Sequence, residues 1–207
     1  MHTTPFIAVE GPIGAGKTTL ASMLSERLHL SLVKEIVEEN PFLDKFYENQ
    51  HEWSFQLEMF FLCNRYKQLE DLENKFLYMN TPVISDYHIY KNLIFAEQTL
   101  AGRKLEKYRK IYTLLTEDLP LPNLIIYIQA SLPTLLKRIK KRGRPFEQQM
   151  DKQYLEQLIA NYHTAIQQIK VKDPLLPIIE IDGDQDDFVM SEAIFNRIVD
   201  QVKEYIR

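Results

Sequence analysis

The amino-acid sequence predicts an α/β fold in which helices flank a parallel sheet. Five short runs are almost continuously apolar, which is typical of strands buried on both faces. Longer segments with helical periodicity separate these runs, and such alternation along a whole chain favours right-handed crossovers between parallel strands. The predicted strands are residues 6–9, 31–33, 82–85, 124–128 and 177–181.

The helices are predicted from apolar residues that recur at three- and four-residue intervals. No repeat, low-complexity tract or shift in composition indicates a linker, so we expect residues 1–207 to form a single domain. The predicted helices are about residues 17–28, 51–76, 89–100, 105–117, 131–141, 152–171 and 188–205.

Composition disfavours several kinds of protein. The chain carries 25 Lys and Arg against 29 Asp and Glu, and this net charge of −4 gives no general attraction to nucleic acid or anionic lipid. No apolar stretch approaches the ~18 residues that a membrane span needs, and the N-terminus does not resemble a signal peptide. Cys63 is the single cysteine, so no internal disulfide is expected. We expect a soluble, cytoplasmic protein with no nucleic-acid and no membrane partner.

A phosphate-binding loop follows the first predicted strand. Residues 11–18 match the pattern G-x-x-x-x-G-K-[ST], and a helical segment follows them. Glycines allow backbone N–H groups to turn toward phosphate oxygens, and the N-terminus of the helix adds positive potential. A plain glycine-rich turn is the alternative, but the flanking strand and helix favour nucleoside triphosphate binding. The residues assigned to this site are Gly11, Pro12, Ile13, Gly14, Ala15, Gly16, Lys17, Thr18 and Thr19.

Two side chains of this loop have specific chemistry. Lys17 supplies a cation for the β- and γ-phosphates, and the hydroxyl of Thr18 is a ligand for Mg²⁺. ATP with Mg²⁺ is therefore the expected phosphoryl donor. No N-K-x-D motif for reading guanine nucleotides is present, which disfavours a GTPase.

A basic run in the C-terminal half predicts an arginine-rich lid over about residues 138–150. Arg138 and Arg142 share a helix face, and Gly143 permits a bend that brings Arg144 alongside. Planar guanidinium groups bind a phosphoryl group as its charge redistributes. An exposed helix face and a nucleic-acid patch are the alternatives.

Several segments occur in a distinctive combination: residues 11–18, Lys34-Glu35-Ile36-Val37-Glu38, Trp53-Ser54-Phe55, Ser85-Asp86 and residues 138–147. This combination resembles the deoxynucleoside kinases. The resemblance implies a P-loop kinase fold with a five-stranded parallel sheet, and transfer of the γ-phosphoryl group of ATP to the 5′-hydroxyl of a deoxynucleoside. It also implies a homodimer, formed through the 51–76 helix and a neighbouring helix. The segment Asp86-Tyr87-His88-Ile89-Tyr90-Lys91 is similar to the bacterial deoxyguanosine kinases within this family.

The resemblance assigns roles near the reacting groups. Glu35 matches the carboxylate that accepts the proton of the 5′-hydroxyl, with Glu38 and Glu39 as alternatives on the sequence alone. A loose transition state requires positioning of the nucleophile more than strong basicity. Asp86 matches the acidic residue near Mg²⁺, so Thr18 and Asp86 are the expected metal ligands.

The resemblance also assigns the sugar site and the lid. Tyr47 and Glu147 match the pair that binds the 3′-hydroxyl of the sugar, and Arg138 matches one of the lid arginines. The expected catalytic residues are Lys17, Glu35, Asp86, Arg142 and Arg144.

The segment that reads the base departs from the family. Family members commonly have Gln five residues after the tryptophan that matches Trp53, where this chain has Glu58. Arg65 follows two turns later on the same face, about 10 Å along the axis. Guanine offers N1–H and N2–H₂ donors beside O6 and N7 acceptors, which a carboxylate and a guanidinium complement. The alternative is that Glu58 and Arg65 are ordinary polar residues of a dimer-interface helix.

Two further departures concern the acceptor site. Many family members read D-R-S where this chain has Asp86-Tyr87-His88, so an arginine that helps to form the acceptor site is absent. Lys91-Asn92 stands where they carry an aspartate. We expect these changes to affect the details of acceptor binding rather than the phosphate chemistry.

We therefore expect phosphorylation of a purine deoxynucleoside, with deoxyguanosine as the preferred acceptor. Deoxyadenosine, or a broader range of deoxynucleosides, is the alternative. A nucleoside monophosphate kinase shares the loop and the lid, but Glu35, Glu58 and Glu147 predict an acceptor pocket too acidic for a phosphate. A non-catalytic nucleotide-sensing module would not need Glu35 and Asp86 beside the loop.

Overall fold

The computed structural model describes residues 4–37, 40–147 and 150–206. Their strands are β1 (Phe6–Glu10), β2 (Ser31–Val33), β3 (Val83–Ser85), β4 (Leu124–Gln129) and β5 (Ile178–Asp182). These strands form one parallel sheet in the order β2-β3-β1-β4-β5, with Ile7 opposite both Ile84 and Leu124. The predicted five-stranded α/β fold is confirmed.

The helices surround the sheet. They are α1 (Lys17–Leu28), α2 (Leu43–Glu48), α3 (Gln50–Leu72), α4 (Tyr90–Thr99), α5 (Gly102–Thr116), α6 (Leu132–Arg142), α7 (Lys152–Lys172) and α8 (Glu192–Tyr205). None of them, within the described ranges, is both long and apolar enough to cross a membrane.

The helix predictions need correction in several places, including the start of α5, which is Gly102 rather than residue 105. Helix α2 was not predicted, because its six residues give only one apolar repeat, in which Leu43 and Phe46 are buried. The prediction of one helix over 51–76 is wrong at its end, since α3 gives way to a π-helical turn at Glu73–Leu77. That turn keeps both Leu72 and Leu77 buried at a spacing of five residues, which matches the i to i+5 period of a π-helix.

The last helix begins later than predicted. Asp187 accepts the backbone N–H groups of Val189 and Met190 at 3.2 and 3.0 Å, which holds this segment in a turn. Ser191 then caps α8 by accepting the N–H of Ile194 at 3.4 Å. The start predicted at residue 188 is therefore wrong.

Alternate residues of β1 enter different apolar clusters. Phe6 packs in a cluster with Leu62 of α3 and Tyr108 of α5, whereas Ile7 and Val9 join a cluster that includes residues of α1, α6, α7 and α8. This alternation places helices against both faces of the sheet. Because the strands are parallel, the loops that follow β1, β2 and β3 leave the sheet at its carboxyl end, where ligands of open α/β sheets bind.

Candidate active site

Glycines shape the loop between β1 and α1. Gly11 has φ of 150°, and a Cβ atom there would lie 2.5 Å from the carbonyl oxygen of Ile128. Gly14 has φ of 85°, and its Cβ would lie 2.9 Å from Cγ1 of Ile139 on α6. Glycine alone adopts these conformations readily and accepts these approaches, so the loop packs closely against β4 and α6.

Lys17 folds over the loop. Its Nζ donates to the carbonyl oxygens of Gly11 and Pro12 at 2.8 and 3.0 Å. Burial lowers the pKa of Lys17 to about 8, and the positive charge of Lys91 adds to the effect. Phosphate oxygens bound in the loop would favour the charged form of this ammonium.

Thr18 and Asp86 meet at the carboxyl end of the parallel strands. The Thr18 hydroxyl donates to Oδ2 of Asp86, whose Oδ1 accepts the backbone N–H of Glu35 at 2.7 Å. Mg²⁺ favours oxygen ligands of these kinds and fills its remaining positions with water and substrate phosphates. The described part of the chain has no group of three or more His, Cys, Asp and Glu side chains that could hold a metal ion. The donor set fits a magnesium ion that binds together with a nucleoside triphosphate.

Two cations hold the carboxylate of Glu35. Its Oε1 accepts from Nε of Arg65 at 2.9 Å and also from Nη2, while Nζ of Lys91 lies 2.9 Å from Oε1 and 2.8 Å from Oε2. Burial by itself raises the pKa of Glu35, but the charges of Lys91 and Arg65 outweigh burial and hold this pKa well below its usual range. Glu35 is therefore an ionised carboxylate and a weak base. Glu38 and Glu39, its rivals on the sequence, lie outside the described residues.

Glu58 and Arg65 are both buried but have different partners. Arg65 donates through Nη1 to Oδ1 of Asn92 at 2.8 Å, in addition to its contacts with Glu35. Glu58 accepts the hydroxyl of Thr99 at 3.0 Å. Burial raises the pKa of Glu58 to about 7, although this hydrogen bond opposes the shift. Glu58 is thus able to change protonation near neutral pH.

The predicted lid arginines divide into two groups, of which the first pairs with Glu147. Arg142 donates through Nε to Oε2 of Glu147 at 3.0 Å and through Nη2 to both carboxylate oxygens at 2.6 Å, and Nη1 of Arg144 lies 3.6 Å from Oε1. Tyr47 on α2 borders the same cleft as Glu147, and burial together with the charge of Glu147 raises the pKa of Tyr47 above its usual range. Residues 148–149 of the lid lie outside the described residues.

The second group consists of Arg138, which binds backbone carbonyl oxygens. Its Nη1 donates to the carbonyl oxygen of Ala15 at 2.9 Å, and its Nη2 donates to that of Gly183 at 2.7 Å. These bonds tie α6 to the phosphate loop and to the turn after β5. Arg138 is anchored to the backbone, unlike the pair that contacts Glu147.

The predicted site residues border one cleft with a volume of about 860 Å³. This volume lies within the range of small-molecule sites. The residues that line the cleft include those expected for the phosphate, sugar, base and lid regions. Of the predicted site residues, only Gly11, Pro12 and Ala15 of the loop do not line it. The expectation of an acidic acceptor pocket is wrong, because Glu35 and Glu147 each pair with two cations.

The sequence did not assign roles to three residues that contact the site. Lys91 binds Glu35, Asn92 binds Arg65, and Thr99 binds Glu58. The available signal for Lys91 and Asn92 was their departure from the aspartate that family members carry at this position. The Thr99 contact had no comparable signal.

Tyr87 and His88, which replace the usual residues of the family, belong to the core. Among the described residues, the buried hydroxyl of Tyr87 has no hydrogen-bond partner. The ring of His88 contacts the carbonyl oxygen of Pro120 at 3.3 Å, and burial lowers the pKa of His88 to about 4. Neither residue supplies a charge to the cleft.

The parallel sheet, the phosphate loop and the arginines beside it define a nucleotide-binding protein of the P-loop class. A family model described as deoxynucleoside kinase matches residues 7–207. The deoxyguanosine kinase of Bacillus subtilis (strain 168) is 64% identical over 206 residues, which cover 100% of both chains. The deoxyadenosine kinase of Lactobacillus acidophilus is 33% identical, with 97% of this chain and 96% of that relative covered. The chain belongs to the deoxynucleoside kinase family.

A solved structure agrees with this assignment. Deoxyadenosine kinase from M. mycoides with bound dATP superposes with a TM-score of 0.80 at 29% identity, covering 94% of this chain and 98% of the other. The resemblance found in the sequence is thereby confirmed, and with it the interpretation as a kinase that phosphorylates deoxynucleosides. The roles of individual residues, the arginine-rich lid and the homodimer stay predictions.

Proposed function

We propose that the protein transfers the γ-phosphoryl group of ATP to the 5′-hydroxyl of deoxyguanosine and releases dGMP. The deoxyguanosine kinase that shares 64% of its residues supports this acceptor. The observation that carries the choice of base is Glu58, a buried carboxyl group on the cleft. It lies about 10 Å along α3 from Arg65, which contacts Glu35. That separation leaves room for the sugar between the reacting hydroxyl and the base.

Glu35 orients the nucleophile in this proposal. It accepts a hydrogen bond from the 5′-hydroxyl, whose oxygen attacks the γ-phosphorus while the bond to the β-phosphate oxygen breaks. The proton of the hydroxyl passes to Glu35 as the new bond forms. Because its pKa is held low, Glu35 contributes mainly by positioning the hydroxyl.

The other residues bind the two substrates. Lys17 and the loop N–H groups hold the phosphates of ATP, and Arg142 and Arg144 stabilise charge on the transferred group. Tyr47 and Glu147 bind the 3′-hydroxyl of the sugar. Thr18 and Asp86 would hold Mg²⁺, which neutralises phosphate charge when it is bound. The proposal includes a homodimer formed through α3 and a neighbouring helix, and the cytoplasmic location stays a prediction.

A substrate panel tests the proposed function. Turnover with MgATP would be measured for the four deoxynucleosides and for dGMP. The highest kcat/KM is expected for deoxyguanosine, with no phosphorylation of dGMP. A preference for deoxyadenosine would contradict the proposed acceptor, and phosphorylation of dGMP would indicate a monophosphate kinase instead.

Arg142 gives a prediction about the lid. Changing Arg142→Ala should lower kcat by roughly 10²- to 10³-fold, the usual cost of losing one donor to developing charge. KM for ATP should change little, because the interaction forms mainly in the transition state. Steady-state kinetics would check this, with Lys140→Ala on the exposed face of α6 as the matched control. A defect confined to KM would show that Arg142 only binds the ground state.

The raised pKa of Glu58 predicts that base selection depends on pH. Below about 7 the protonated carboxyl can donate to N1 of adenine, whereas above this value the carboxylate accepts N1–H and N2–H₂ of guanine. The ratio of kcat/KM for deoxyguanosine over deoxyadenosine should therefore rise about tenfold between pH 6 and pH 8, as the ionised fraction of Glu58 does. The Glu58→Gln variant is the control, and its ratio should stay constant. A wild-type ratio that does not change with pH would show that Glu58 does not titrate against the base.

A further inference from the structure

Lys91 is a buried ammonium whose role the family assignment does not explain. It lies in the first turn of α4, and its side chain is only 6% exposed. A lysine is rarely buried to this extent unless it is paired, because removing its charge from water is costly. Within the described residues, the hydrogen-bond acceptors of its Nζ are the two carboxylate oxygens of Glu35.

Neutralising Glu35 does not by itself require this lysine, although its charge also favours the ionised form of the buried Glu10. Arg65 already forms an ion pair with Glu35 and donates to it from both Nε and Nη2. A second buried cation on the same carboxylate adds a desolvation cost, so its direct contact with Glu35 indicates a function beyond neutralising that group.

The two cations bind different parts of the carboxylate. Both contacts from Arg65 reach Oε1, whereas Lys91 also binds Oε2 at 2.8 Å. In the described part of the chain, Lys91 is the hydrogen-bond partner of Oε2. The final torsion of a glutamate side chain is broad, so a contact at one oxygen leaves the plane of the carboxylate free to turn. Lys91 removes that freedom.

Lys91 follows, four residues later, a position that lacks the family's usual cation. Family members carry the arginine of D-R-S there, whereas this chain has Tyr87, whose buried hydroxyl has no partner among the described residues. The backbone N–H of Glu35 donates to Asp86, which also accepts the hydroxyl of Thr18. The backbone of the residue whose carboxylate Lys91 contacts is therefore linked through Asp86 to the phosphate loop.

We propose that Lys91 is a positioning residue for phosphoryl transfer, which fixes the plane of the Glu35 carboxylate toward the acceptor hydroxyl. The inference rests on the proposed function, in which Glu35 orients that hydroxyl. Misplacing a reacting group by about 1 Å can cost roughly 100-fold in rate. Loss of Lys91 should therefore appear in kcat and leave the binding of ATP unchanged.

The test compares Lys91→Met with Lys91→Arg, and with Lys107→Met on the exposed face of α5 as a control. Lys91→Met should lower kcat by roughly 10- to 100-fold with KM for ATP unchanged. Lys91→Arg should restore most of the loss, because a guanidinium can donate to Oε2, and Lys107→Met should behave as wild type. Thermal unfolding would establish that each variant is folded, and Lys91→Gln replaces the Met variant if that variant does not fold.

A double-mutant cycle separates positioning from general structural damage. If Lys91 acts through Glu35, adding Lys91→Met to Glu35→Gln should cause no further loss of kcat. Losses that multiply would overturn the inference, as would a folded Lys91→Met enzyme with wild-type kcat. If Glu35→Gln itself keeps full activity, the role proposed for Glu35 fails. If Lys91→Met has wild-type kcat while Glu35→Gln is inactive, only the inference about Lys91 is refuted.

Discussion

Glu35→Gln is expected to lower kcat by roughly 10²- to 10⁴-fold, because it removes the charged group that positions the 5′-hydroxyl and accepts its proton. The amide keeps the shape of the side chain but cannot take the proton of the 5′-hydroxyl. It also lacks the charge that holds Arg65 and Lys91 in place, so the hydroxyl loses its orienting partner. Steady-state kinetics with saturating MgATP and deoxyguanosine would measure the effect.

The same substitution leaves two buried cations without a carboxylate. Breaking a buried ion pair by changing one partner typically costs about 3–5 kcal/mol, so the unfolding temperature should fall. Kinetics must therefore be compared on folded protein, with thermal unfolding and ATP affinity measured in parallel. Glu106→Gln on the exposed face of α5 makes the same chemical change away from the cleft and should have no effect. A folded Glu35→Gln enzyme that keeps more than about a third of kcat would remove Glu35 from its assigned role.

Most of the sheet could be predicted because its central strands β1, β3 and β4 are buried on both faces. Such strands are nearly continuous apolar runs, and each predicted strand occurs within one residue of its expected ends. Helix ends were harder to predict, since they depend on particular contacts. The π-helical turn after α3 follows from the burial of Leu77, and the start of α8 follows from hydrogen bonds to Asp187 and Ser191. The periodicity of apolar residues indicates neither of these helix ends.

The candidate site shows a similar division. Its phosphate loop follows from a local motif, since residues adjacent in sequence bind one group of the ligand. The environment of Glu35 cannot be read in this way, because Arg65 and Lys91 come from α3 and α4 and meet it only in the folded chain. Arg138 was expected in the lid because it shares a face with Arg142, yet the nearby carbonyl oxygens of Ala15 and Gly183 bind it.

The position of Arg65 changes the argument about the base. Arg65 was expected to act with Glu58 on guanine, but it binds Glu35 and Asn92. Glu58 remains on the cleft with the hydroxyl of Thr99 as its donor. The discrimination between purines is therefore expected to depend on Glu58 more than on Arg65. The half-buried Glu70, which lies on the same helix and contacts Tyr66 and Lys67 away from the cleft, provides a site for a control substitution.

Glu58→Gln should lower the preference for deoxyguanosine over deoxyadenosine by about 100-fold, since hydrogen bonds to a charged group contribute about 1.5–3 kcal/mol each. A carboxylate accepts both N1–H and N2–H₂ of guanine but repels the N1 lone pair of adenine, whereas an amide can donate as well as accept. The measurement is kcat/KM for all four deoxynucleosides on wild type, Glu58→Gln and Glu70→Gln.

Deoxyinosine adds a check on the same contact. It keeps N1–H and O6 but lacks the 2-amino group, so the wild-type enzyme should use it less well than deoxyguanosine and better than deoxyadenosine. The Glu58→Gln variant should reduce the difference between deoxyinosine and deoxyguanosine, because the carboxylate that accepts the 2-amino group is gone. If the variant keeps the wild-type order of substrates, Glu58 does not read the base, and its burial on α3 serves packing beside Thr99 instead.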